Sequence, residues 1–351
     1  MIKVLVVDDS AFMRKAITAM LQEDPEIKVV GTARDGVEAV QMVQELKPDI
    51  VTMDVEMPRM DGITALKEIM QKCPVPVLMV SSLTTEGAKV TLEALELGAI
   101  DFIPKNLAEL SVNIVKIKGM LIDKIKTIGR RGIAKRKPAV KTTEPKIEVP
   151  KVEVPKTRIT TERKVGIVSI GTSTGGPKAL QEIIPNLPKD FPVPVVIAQH
   201  MPPNFTKPFA ERLDQLSQLS VKEAEEGETV KPGIVYIAPG RGHMRLKRRG
   251  IEIFVSISED KEEFIYRPSV DVLMLSVAEC FPGRSLGVIL TGMGNDGAKG
   301  CKKIKETGGR VFAQSEDSCV VYGMPKAVVD AGIADKVVPL EEMAGEIINA
   351  V

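Results

Sequence analysis

The chain has 351 residues, of which 44% are hydrophobic and 27% charged, so it can fill ordinary cores but is long for a single one. Its formal net charge of +1 disfavours general binding of polyanions, and we expect no nucleic-acid partner. Because no stretch approaches the roughly 20 apolar residues of a membrane span, and MIKVLVVDDS does not resemble a signal peptide, we expect a cytoplasmic protein without direct membrane insertion.

Residues 1–125 alternate apolar runs with helical patterns. The apolar runs are IKVLVV, IKVVGTA, DIVTM, PVLMVS and AIDFIP, and a helical pattern follows each of them. Five such units predict a doubly wound α/β domain with a five-stranded parallel sheet. Since ligands of such sheets gather beyond the carboxyl ends of the strands, the loops after these runs are where functional residues are expected.

Charged and hydroxyl side chains follow four of these strands. Asp8 and Asp9 follow the first, Asp54 ends the third, Ser81 the fourth, and Lys105 lies at the end of the fifth. Clustered carboxylates repel one another and favour a bound divalent cation, so we expect Mg²⁺ at the three aspartates. Asp54 is placed to act as a nucleophile, while the serine and the lysine are placed to bind a phosphoryl group on it. The alternative is helix N-capping by the first two aspartates and a surface role for the lysine.

Residues 126–163 are predicted to form a linker between two domains. The segment is rich in Lys, Arg and Pro, and EVPK occurs twice in succession. Isolated prolines and charges leave too little contiguous apolar surface to offset the entropy of ordering, so we expect an extended tether. Nucleic-acid binding by this basic run is the alternative, although interleaved aromatic residues are missing.

Residues 164–351 resume the α/β pattern. VGIVSI, PVVIAQ, SLGVIL and GRVFAQ predict the strands of a second doubly wound domain with a mainly parallel sheet. HMRLKR and IEIFVS, on either side of Arg249 and Gly250, predict a β-hairpin. The loops that follow the parallel strands are again the expected location of a site.

The first strand of this second domain runs into a glycine turn, residues 171–177, with the sequence GTSTGGP. Glycines permit positive φ and close approach, and Pro177 suits the first turn of a helix. Free N–H groups at a helix start favour developing negative charge. Such a turn could cradle a phosphate, present the Ser173 hydroxyl as a nucleophile, or simply pack, and its glycine content leaves these three interpretations open.

Two further residues favour the nucleophile. His200 follows PVVIAQ, and an imidazole that is neutral near pH 7 is the usual base for a serine hydroxyl. Asp296 follows SLGVIL in the run TGMGNDG, where it could orient a histidine while the backbone N–H groups around Met293 receive an oxyanion. If the strands are parallel, these residues and Ser173 reach the same edge of the sheet.

Other residues could fill the same roles. His243 also follows a strand-like run, IVYIA, and is an alternative base. Asp271 in RPSVDVL is an alternative acid, although it lies on a helical apolar pattern. The segment around Asp296, residues 295–297, could also form a simple turn or helix cap.

Residues 1–125 resemble a response-regulator receiver domain. The resemblance rests on VDDS, on MDVEMPRMDG around Asp54, on MVSS and on ALELGAIDFIPK. It implies that Asp54 accepts a phosphoryl group from a histidine kinase, and that Ser81 and Phe102 rearrange as switch residues. In a chemotaxis system the donor would be the chemotaxis histidine kinase.

One position departs from the receiver pattern. Receivers commonly have proline immediately after the conserved lysine, whereas here Pro104 precedes Lys105 and Asn106 follows it. The departure concerns the local backbone after the fifth strand. The charge of Lys105 is unaffected, so its predicted pairing with a phosphoryl group stands.

Residues 164–351 resemble the catalytic domain of the chemotaxis protein-glutamate methylesterase family, CheB. The resemblance rests on IGTSTGG, AQHMPPNFT, YIAPGRGHM, RPSVDVL, LTGMGNDG and CVVYGMP. It implies that Ser173 is the nucleophile, His200 the base and Asp296 the orienting acid, that the Met293 N–H supports the oxyanion, and that Thr174 assists. It also implies hydrolysis of glutamyl methyl esters of chemoreceptors, and in some members deamidation of glutamines, with no cofactor for the hydrolysis.

The two halves together predict a phosphorylation-activated hydrolase. We expect the unphosphorylated receiver to cover the Ser173 edge, and phosphorylation of Asp54 to shift the population away from that arrangement. The alternative is a response regulator whose output domain binds a nucleotide or nucleic acid without hydrolysis. The glycine turn lacks the Walker lysine pattern that such nucleotide binding commonly uses.

Overall fold

The computed structural model describes residues 1–82, 84–105, 114–136, 164–259 and 266–351, and within these ranges the side chains of 114–117 and 131–136 are not described. Asn106 and residues 137–163 of the predicted linker therefore lie outside the described residues. Within the described ranges, no helix combines the length and the apolar character that crossing a membrane requires.

The N-terminal domain is a five-stranded parallel sheet, as predicted, and its strand order is β2-β1-β3-β4-β5. Its strands are β1 (Ile2–Val7), β2 (Ile27–Ala33), β3 (Ile50–Asp54), β4 (Val77–Ser82) and β5 (Asp101–Lys105). Its helices are α1 (Ala11–Gln22), α2 (Gly36–Leu46), α3 (Gly62–Lys72), α4 (Thr85–Glu96) and α5 (Ile114–Arg136). The central strands are buried on both faces, which explains why they read as continuous apolar runs.

Short polar side chains begin the helices of this domain. The N-cap residues Ser10, Asp35, Asp61 and Thr84 each accept a hydrogen bond from a backbone N–H of the first turn. These caps end the loops that leave the carboxyl edge of the sheet. The loops that carry the predicted phosphoryl site are therefore short and anchored at both ends.

Helix α5 passes the predicted domain boundary at residue 125 and ends at Arg136, so the expected linker start at residue 126 lies inside a helix. Ile125 and Ile128 are buried in the core beside β1. Lys126 lies 3.0 Å from Asp24, and Arg130 pairs with Glu26. Of the basic residues in the predicted linker, Lys126 and Arg130 are thus part of this helix and pair with acidic residues of the receiver.

The C-terminal domain contains a seven-stranded parallel sheet with the order β14-β13-β12-β6-β7-β9-β8, and a separate two-stranded hairpin, β10-β11. The strands are β6 (Ile167–Thr172), β7 (Val195–Gln199), β8 (Ser220–Glu223), β9 (Ile234–Ile237), β10 (His243–Arg249), β11 (Glu252–Ser258), β12 (Ser285–Ile289), β13 (Arg310–Gln314) and β14 (Lys336–Val338). The predicted mainly parallel sheet and the hairpin are both confirmed.

Helices cover both faces of this sheet. They are α6 (Gly176–Ile183), which continues into a short 3₁₀ helix (Ile184–Asn186), then α7 (Pro203–Leu216), α8 (Val270–Cys280), α9 (Ala298–Glu306), α10 (Met324–Asp330) and α11 (Leu340–Ala350). The chain builds β7, β8 and β9 on one side of β6, and then crosses to place β12 on the other side. Between β6 and β12 the sheet therefore has a topological switch point, where open α/β sheets form a crevice.

The two domains contact each other through α4 and β5 of the first and α6 and α7 of the second. The rings of Phe102 and Phe205 stack with centroids 4.5 Å apart and an interplanar angle of 11°. The carboxylate of Glu96 accepts two hydrogen bonds from the Arg212 guanidinium, at 2.5 and 2.7 Å. The contact combines an apolar stack with a two-pronged ion pair.

Candidate phosphoryl site and candidate active site

The three predicted carboxylates of the first domain lie at one edge of its sheet. Asp8, Asp9 and Asp54 each offer an oxygen within 4.8 Å of the others. Lys105 Nζ lies 2.9 Å from an oxygen of Asp8 and 2.9 Å from an oxygen of Asp54. The carboxyl ends of β1, β3 and β5 thus bring together the residues that the sequence predicted to meet.

The charge balance of this cluster is unfavourable for Asp54. Burial raises the pKa of Asp54 to about 6, and the nearby Asp8 adds to this, although the hydrogen bond and charge of Lys105 oppose the change. The same two carboxylates raise the pKa of Lys105, although its own burial works in the opposite direction. The group that would become phosphorylated is thus held where its negative charge is costly without a further cation.

The donor set fits Mg²⁺, because all three side chains supply hard oxygen atoms and Asp9 is exposed at the rim, which leaves room for water ligands. Lys105 neutralises part of the negative charge of the cluster. The carboxylates have the chemistry that the prediction requires.

The two predicted switch residues, Ser81 and Phe102, contact groups other than the carboxylates. Ser81 is fully buried, and its hydroxyl accepts a 2.6 Å hydrogen bond from Thr91 and lies 3.3 Å from the Gly87 carbonyl, both on α4. Phe102 is 6% exposed and stacks on Phe205 of the other domain. Ser81 therefore binds to α4, and Phe102 is part of the domain contact.

The glycine turn after β6 begins α6. Gly175 has φ 77°, a conformation that favours glycine, and the Gly176 N–H donates to the Ser173 carbonyl at 2.9 Å. That N–H is consequently used inside the turn and does not point at an anion. The Ser173 N–H donates to the Thr291 carbonyl at 3.1 Å, which attaches the turn to the loop after β12 across the switch point.

Opposite this turn, His200 and Asp296 form a hydrogen-bonded pair. His200 Nε2 lies 2.7 Å from Asp296 Oδ2, and the two side chains are only 8% and 7% exposed. The other ring nitrogen of His200, Nδ1, is buried and has no hydrogen-bond partner among the described residues. The His200 backbone N–H donates to the Thr172 carbonyl at 3.1 Å, so the predicted base directly adjoins the glycine turn that carries Ser173. In the described chain the Ser173 hydroxyl makes no hydrogen bond to this histidine.

The N-terminus of α8 holds Asp296. Its two oxygens accept hydrogen bonds from the N–H groups of Val270 and Asp271, at 2.7 and 2.9 Å, and from the Ser269 hydroxyl at 3.0 Å. Burial alone would raise the pKa of Asp296, but the hydrogen bond and charge of His200, with these N–H donors, outweigh it and hold the pKa below its usual value. The carboxylate therefore stays ionised.

The loop after β12 lies against the nucleophile. A Cβ atom on Gly292 would approach the Ser173 Cβ to 2.9 Å, so only glycine permits this distance. The Met293 N–H and the Thr174 N–H donate no hydrogen bond within the described residues, while Thr174 Oγ1 is buried without a partner there. Backbone donors are thus available on both sides of Ser173.

The alternative base and acid have other contacts. His243 is fully buried, and its Nδ1 accepts a 3.0 Å hydrogen bond from the Ser269 N–H. Asp271 accepts hydrogen bonds from the N–H groups of Gly297 and Gly300, at 2.9 and 2.8 Å, and so caps α9. Both support the position of Asp296 through neighbouring residues and do not pair with His200.

Sequence reasoning missed two side chains at this site. The ring of Tyr266 stacks on His200, with centroids 4.5 Å apart and an interplanar angle of 6°. Ser269, the N-cap residue of α8, donates to Asp296. A serine directly before a helical apolar pattern is a recognisable N-cap signal, so Ser269 could have been found, whereas no local pattern marks Tyr266.

Comparison with known proteins identifies the family of each domain. A family model described as CheB methylesterase matches residues 168–347, and one described as response regulator receiver domain matches residues 4–114. Relatives named protein-glutamate methylesterase/protein-glutamine glutaminase include one from Nitratidesulfovibrio vulgaris, numbered 2, which is 53% identical over 99% of both chains. Another, from Thermotoga maritima, is 47% identical over 100% of this chain and 98% of its own.

A solved structure agrees as well. The crystal structure of the Thermotoga maritima CheB methylesterase catalytic domain is 50% identical and covers 54% of this chain and 100% of its own, with a TM-score of 0.52. Both resemblances predicted from the sequence, to a receiver and to a hydrolase, are confirmed. With a receiver domain joined to an α/β hydrolase domain, the chain belongs to the CheB methylesterase family.

Proposed function

We propose that this chain is a phosphorylation-activated esterase that removes methyl groups from glutamyl methyl esters of chemoreceptors, and that it also deamidates receptor glutamines. The observation that carries the proposal is the 2.7 Å pair of His200 and Asp296 beside the Ser173 turn, at the switch point of the sheet. The names of the relatives, which join methylesterase and glutaminase, support both reactions.

In the proposed reaction, Ser173 Oγ attacks the γ-carbonyl carbon of the ester and its proton passes to His200 Nδ1, the ring nitrogen without another partner. The tetrahedral intermediate collapses to an acyl-serine, and the proton is returned to methanol as it leaves. Water then attacks the acyl-serine with His200 again accepting the proton, which restores Ser173 and releases the glutamate carboxylate. An amide follows the same course with ammonia as the leaving group.

Two features lower the barrier. The ionised Asp296 stabilises the imidazolium that forms on His200, and the N-terminus of α8 keeps that carboxylate in place. The N–H groups of Met293 and Thr174, which donate no hydrogen bond within the described residues, are proposed to receive the oxyanion, and loss of one such donor commonly costs about 10²–10³ in rate. No cofactor is needed for these steps.

The first domain is proposed to accept the regulating phosphoryl group. Asp54 would take it from a phosphohistidine of the chemotaxis histidine kinase, and Mg²⁺ held by Asp8, Asp9 and Asp54 would neutralise the charge on the transferring group. Lys105, already 2.9 Å from Asp54, would pair with the phosphoryl oxygens. Ser81 would have to leave Thr91 to bind the same group.

The domain contact supports control of the active site by this event. Phe102, the predicted switch residue, is buried against Phe205 at the start of α7. The receiver contacts α7 of the second domain through this stack, and we propose that phosphorylation of Asp54 disfavours the contact.

The test is methanol release from methylated chemoreceptor fragments by the full-length chain. Ser173→Ala should reduce turnover by roughly 10⁴-fold or more while the fold is retained. Ser169→Ala is the matched control, because Ser169 is a buried serine on β6, the strand that leads into the Ser173 turn, and the variant should remain active. Retained hydrolysis in Ser173→Ala would refute the nucleophile. Addition of a small phosphodonor should raise turnover of the wild type but not of Asp54→Asn, and equal activity with and without it would remove the switch.

A further inference from the structure

A buried glutamine connects the nucleophile turn to the base. Gln199 is the last residue of β7 and is 2% exposed. Its side-chain Nε2 donates to the Ser173 carbonyl at 3.0 Å and to the His200 carbonyl at 3.0 Å. Both protons of the amide are therefore used, one on the backbone of the predicted nucleophile and the other on the backbone of the predicted base.

The first of these bonds orients a peptide group of the active site. The Ser173 carbonyl accepts from Gln199 and also from the Gly176 N–H at 2.9 Å, so the plane of the Ser173–Thr174 peptide is held from two directions. In a trans peptide the N–H points away from the carbonyl oxygen. Gln199 thus helps to aim the Thr174 N–H, which donates to no acceptor within the described residues.

The arrangement has a structural cost. Gln199 Oε1 is buried and accepts no hydrogen bond in the described part of the chain, and such an unpaired acceptor destabilises a fold. A Cβ atom at position 176 would lie 2.1 Å from Oε1 and 2.4 Å from Thr172 Oγ1, so Gln199 can take this position only because the first residue of α6 is glycine. By contrast, Gln314 at the end of β13 uses both ends of its amide, with Thr291 and Ser318.

We propose that Gln199 is a positioning residue for the hydrolysis, which rests on the proposed function of Ser173 and His200. By donating to both carbonyls it fixes the nucleophile turn relative to the base and aims the Thr174 N–H at the oxyanion. A leucine of similar size would remove the unpaired acceptor, but it would leave both carbonyls without this donor. Gln199 therefore lowers the stability of the fold through its unpaired oxygen, and it holds Ser173 and His200 in fixed relative positions.

The test compares Gln199→Leu with the wild-type full-length chain. We expect kcat for a methylated receptor fragment to fall by about 10–100-fold, because small misplacement of reacting groups has effects of this size, while KM changes by less than about twofold. The rate of labelling of Ser173 by a fluorophosphonate should fall by a similar factor. The melting temperature should change little, because removal of the unpaired Oε1 offsets the loss of Nε2 as a donor to the two carbonyls.

Ser285→Ala is the matched control, because Ser285 also has a buried hydroxyl without a partner in the described chain but lies at the opposite end of the sheet, where β12 begins. It should leave kcat and labelling unchanged. Wild-type kcat and labelling in Gln199→Leu would overturn the proposal, as would losses that merely match a lower folded fraction. If the wild type released no methanol, the proposed function would fail, while the labelling rates would still decide the role of Gln199.

Discussion

The two sites of this chain lie at equivalent edges of parallel sheets, but they hold their aspartates in opposite ways. In the receiver, Asp54 is buried near Asp8, and its pKa is raised to about 6. In the hydrolase, Asp296 is equally enclosed, yet His200 and the N-terminus of α8 keep its pKa below the usual range. The same topology therefore provides one carboxylate suited to a change of charge and another suited to constant charge.

The largest expected effect tests the constant charge. Asp296→Asn should lower kcat by about 10³–10⁴-fold, because an amide cannot stabilise the imidazolium and leaves His200 without its orienting anion. Steady-state methanol release and circular dichroism would separate lost chemistry from lost fold. Asp271→Asn is the comparison, since that carboxylate caps α9 without contacting His200, and we expect a loss below about tenfold. Equal losses in both variants would contradict the assignment of Asp296.

The second prediction tests the raised pKa of Asp54 through its effect on the free energy of unfolding. Between the ordinary carboxyl pKa of 3.8 and about 6, folded Asp54 keeps a proton that the unfolded chain has lost, so stability falls as the pH rises through this window. The difference between these two pKa values corresponds to about 3 kcal/mol in the free energy of unfolding. Asp54→Asn removes this penalty, and its free energy of unfolding should exceed that of the wild type by up to about 3 kcal/mol above pH 7.

Urea unfolding of the receiver transition, at pH 4 and above pH 7 and without Mg²⁺, would measure this difference. The gain should vanish at the lower pH, where Asp54 is protonated in the folded chain. Asp61→Asn is the control, because Asp61 is the N-cap of α3 and asparagine caps a helix about as well. A gain that persists unchanged at pH 4 would show that the raised pKa is not its origin.

A smaller effect concerns the ring above His200. Tyr266→Ala should lower kcat by about 2–10-fold, because an aromatic stack of this kind contributes roughly 0.5–1.5 kcal/mol to holding the imidazole. Tyr266→Phe keeps the ring and should remain close to the wild type. Turnover numbers under saturating substrate would distinguish them. If the phenylalanine variant lost as much as the alanine variant, the hydroxyl and not the stack would be the important group.

The sequence predicts the receiver site more completely than the hydrolase site for a physical reason. Asp54 and Lys105 each terminate a strand, so local patterns and the rule for parallel sheets suffice to place them together. Ser173, His200 and Asp296 follow strands too, but their surroundings come from distant segments, such as Tyr266.

Other features depend on packing that no local pattern encodes. The order of the seven-stranded sheet is one of them, because hydrophobic periodicity identifies strands and not their neighbours. The extension of α5 is another. Its basic residues are typical of a linker in the sequence, but in the folded chain Lys126 and Arg130 pair with acidic residues that follow α1. The burial of Phe102 against Phe205 likewise requires both domains.

The smallest expected effect tests whether the two sites communicate through the domain contact. Arg212→Ala removes the ion pair with Glu96, whose side chains are 40% and 25% exposed, so its contribution is about 0.2–1 kcal/mol. If this pair holds the receiver over the active site, methanol release by the unphosphorylated chain should rise by up to about fivefold.

Glu96→Ala should raise the rate at least as much, because it also removes the 3.4 Å hydrogen bond from Gln181, and adding Arg212→Ala to it should change little, because the pair with Glu96 is already lost. Lys67→Ala is the matched control. Lys67 pairs with Glu93, which lies on α4 as Glu96 does, but this pair is within the receiver. The variant should leave the basal rate unchanged. Additive increases in the double variant would mean that Glu96 and Arg212 act separately, and the coupling of phosphorylation to hydrolysis would then have to depend on Phe102 and Phe205 instead.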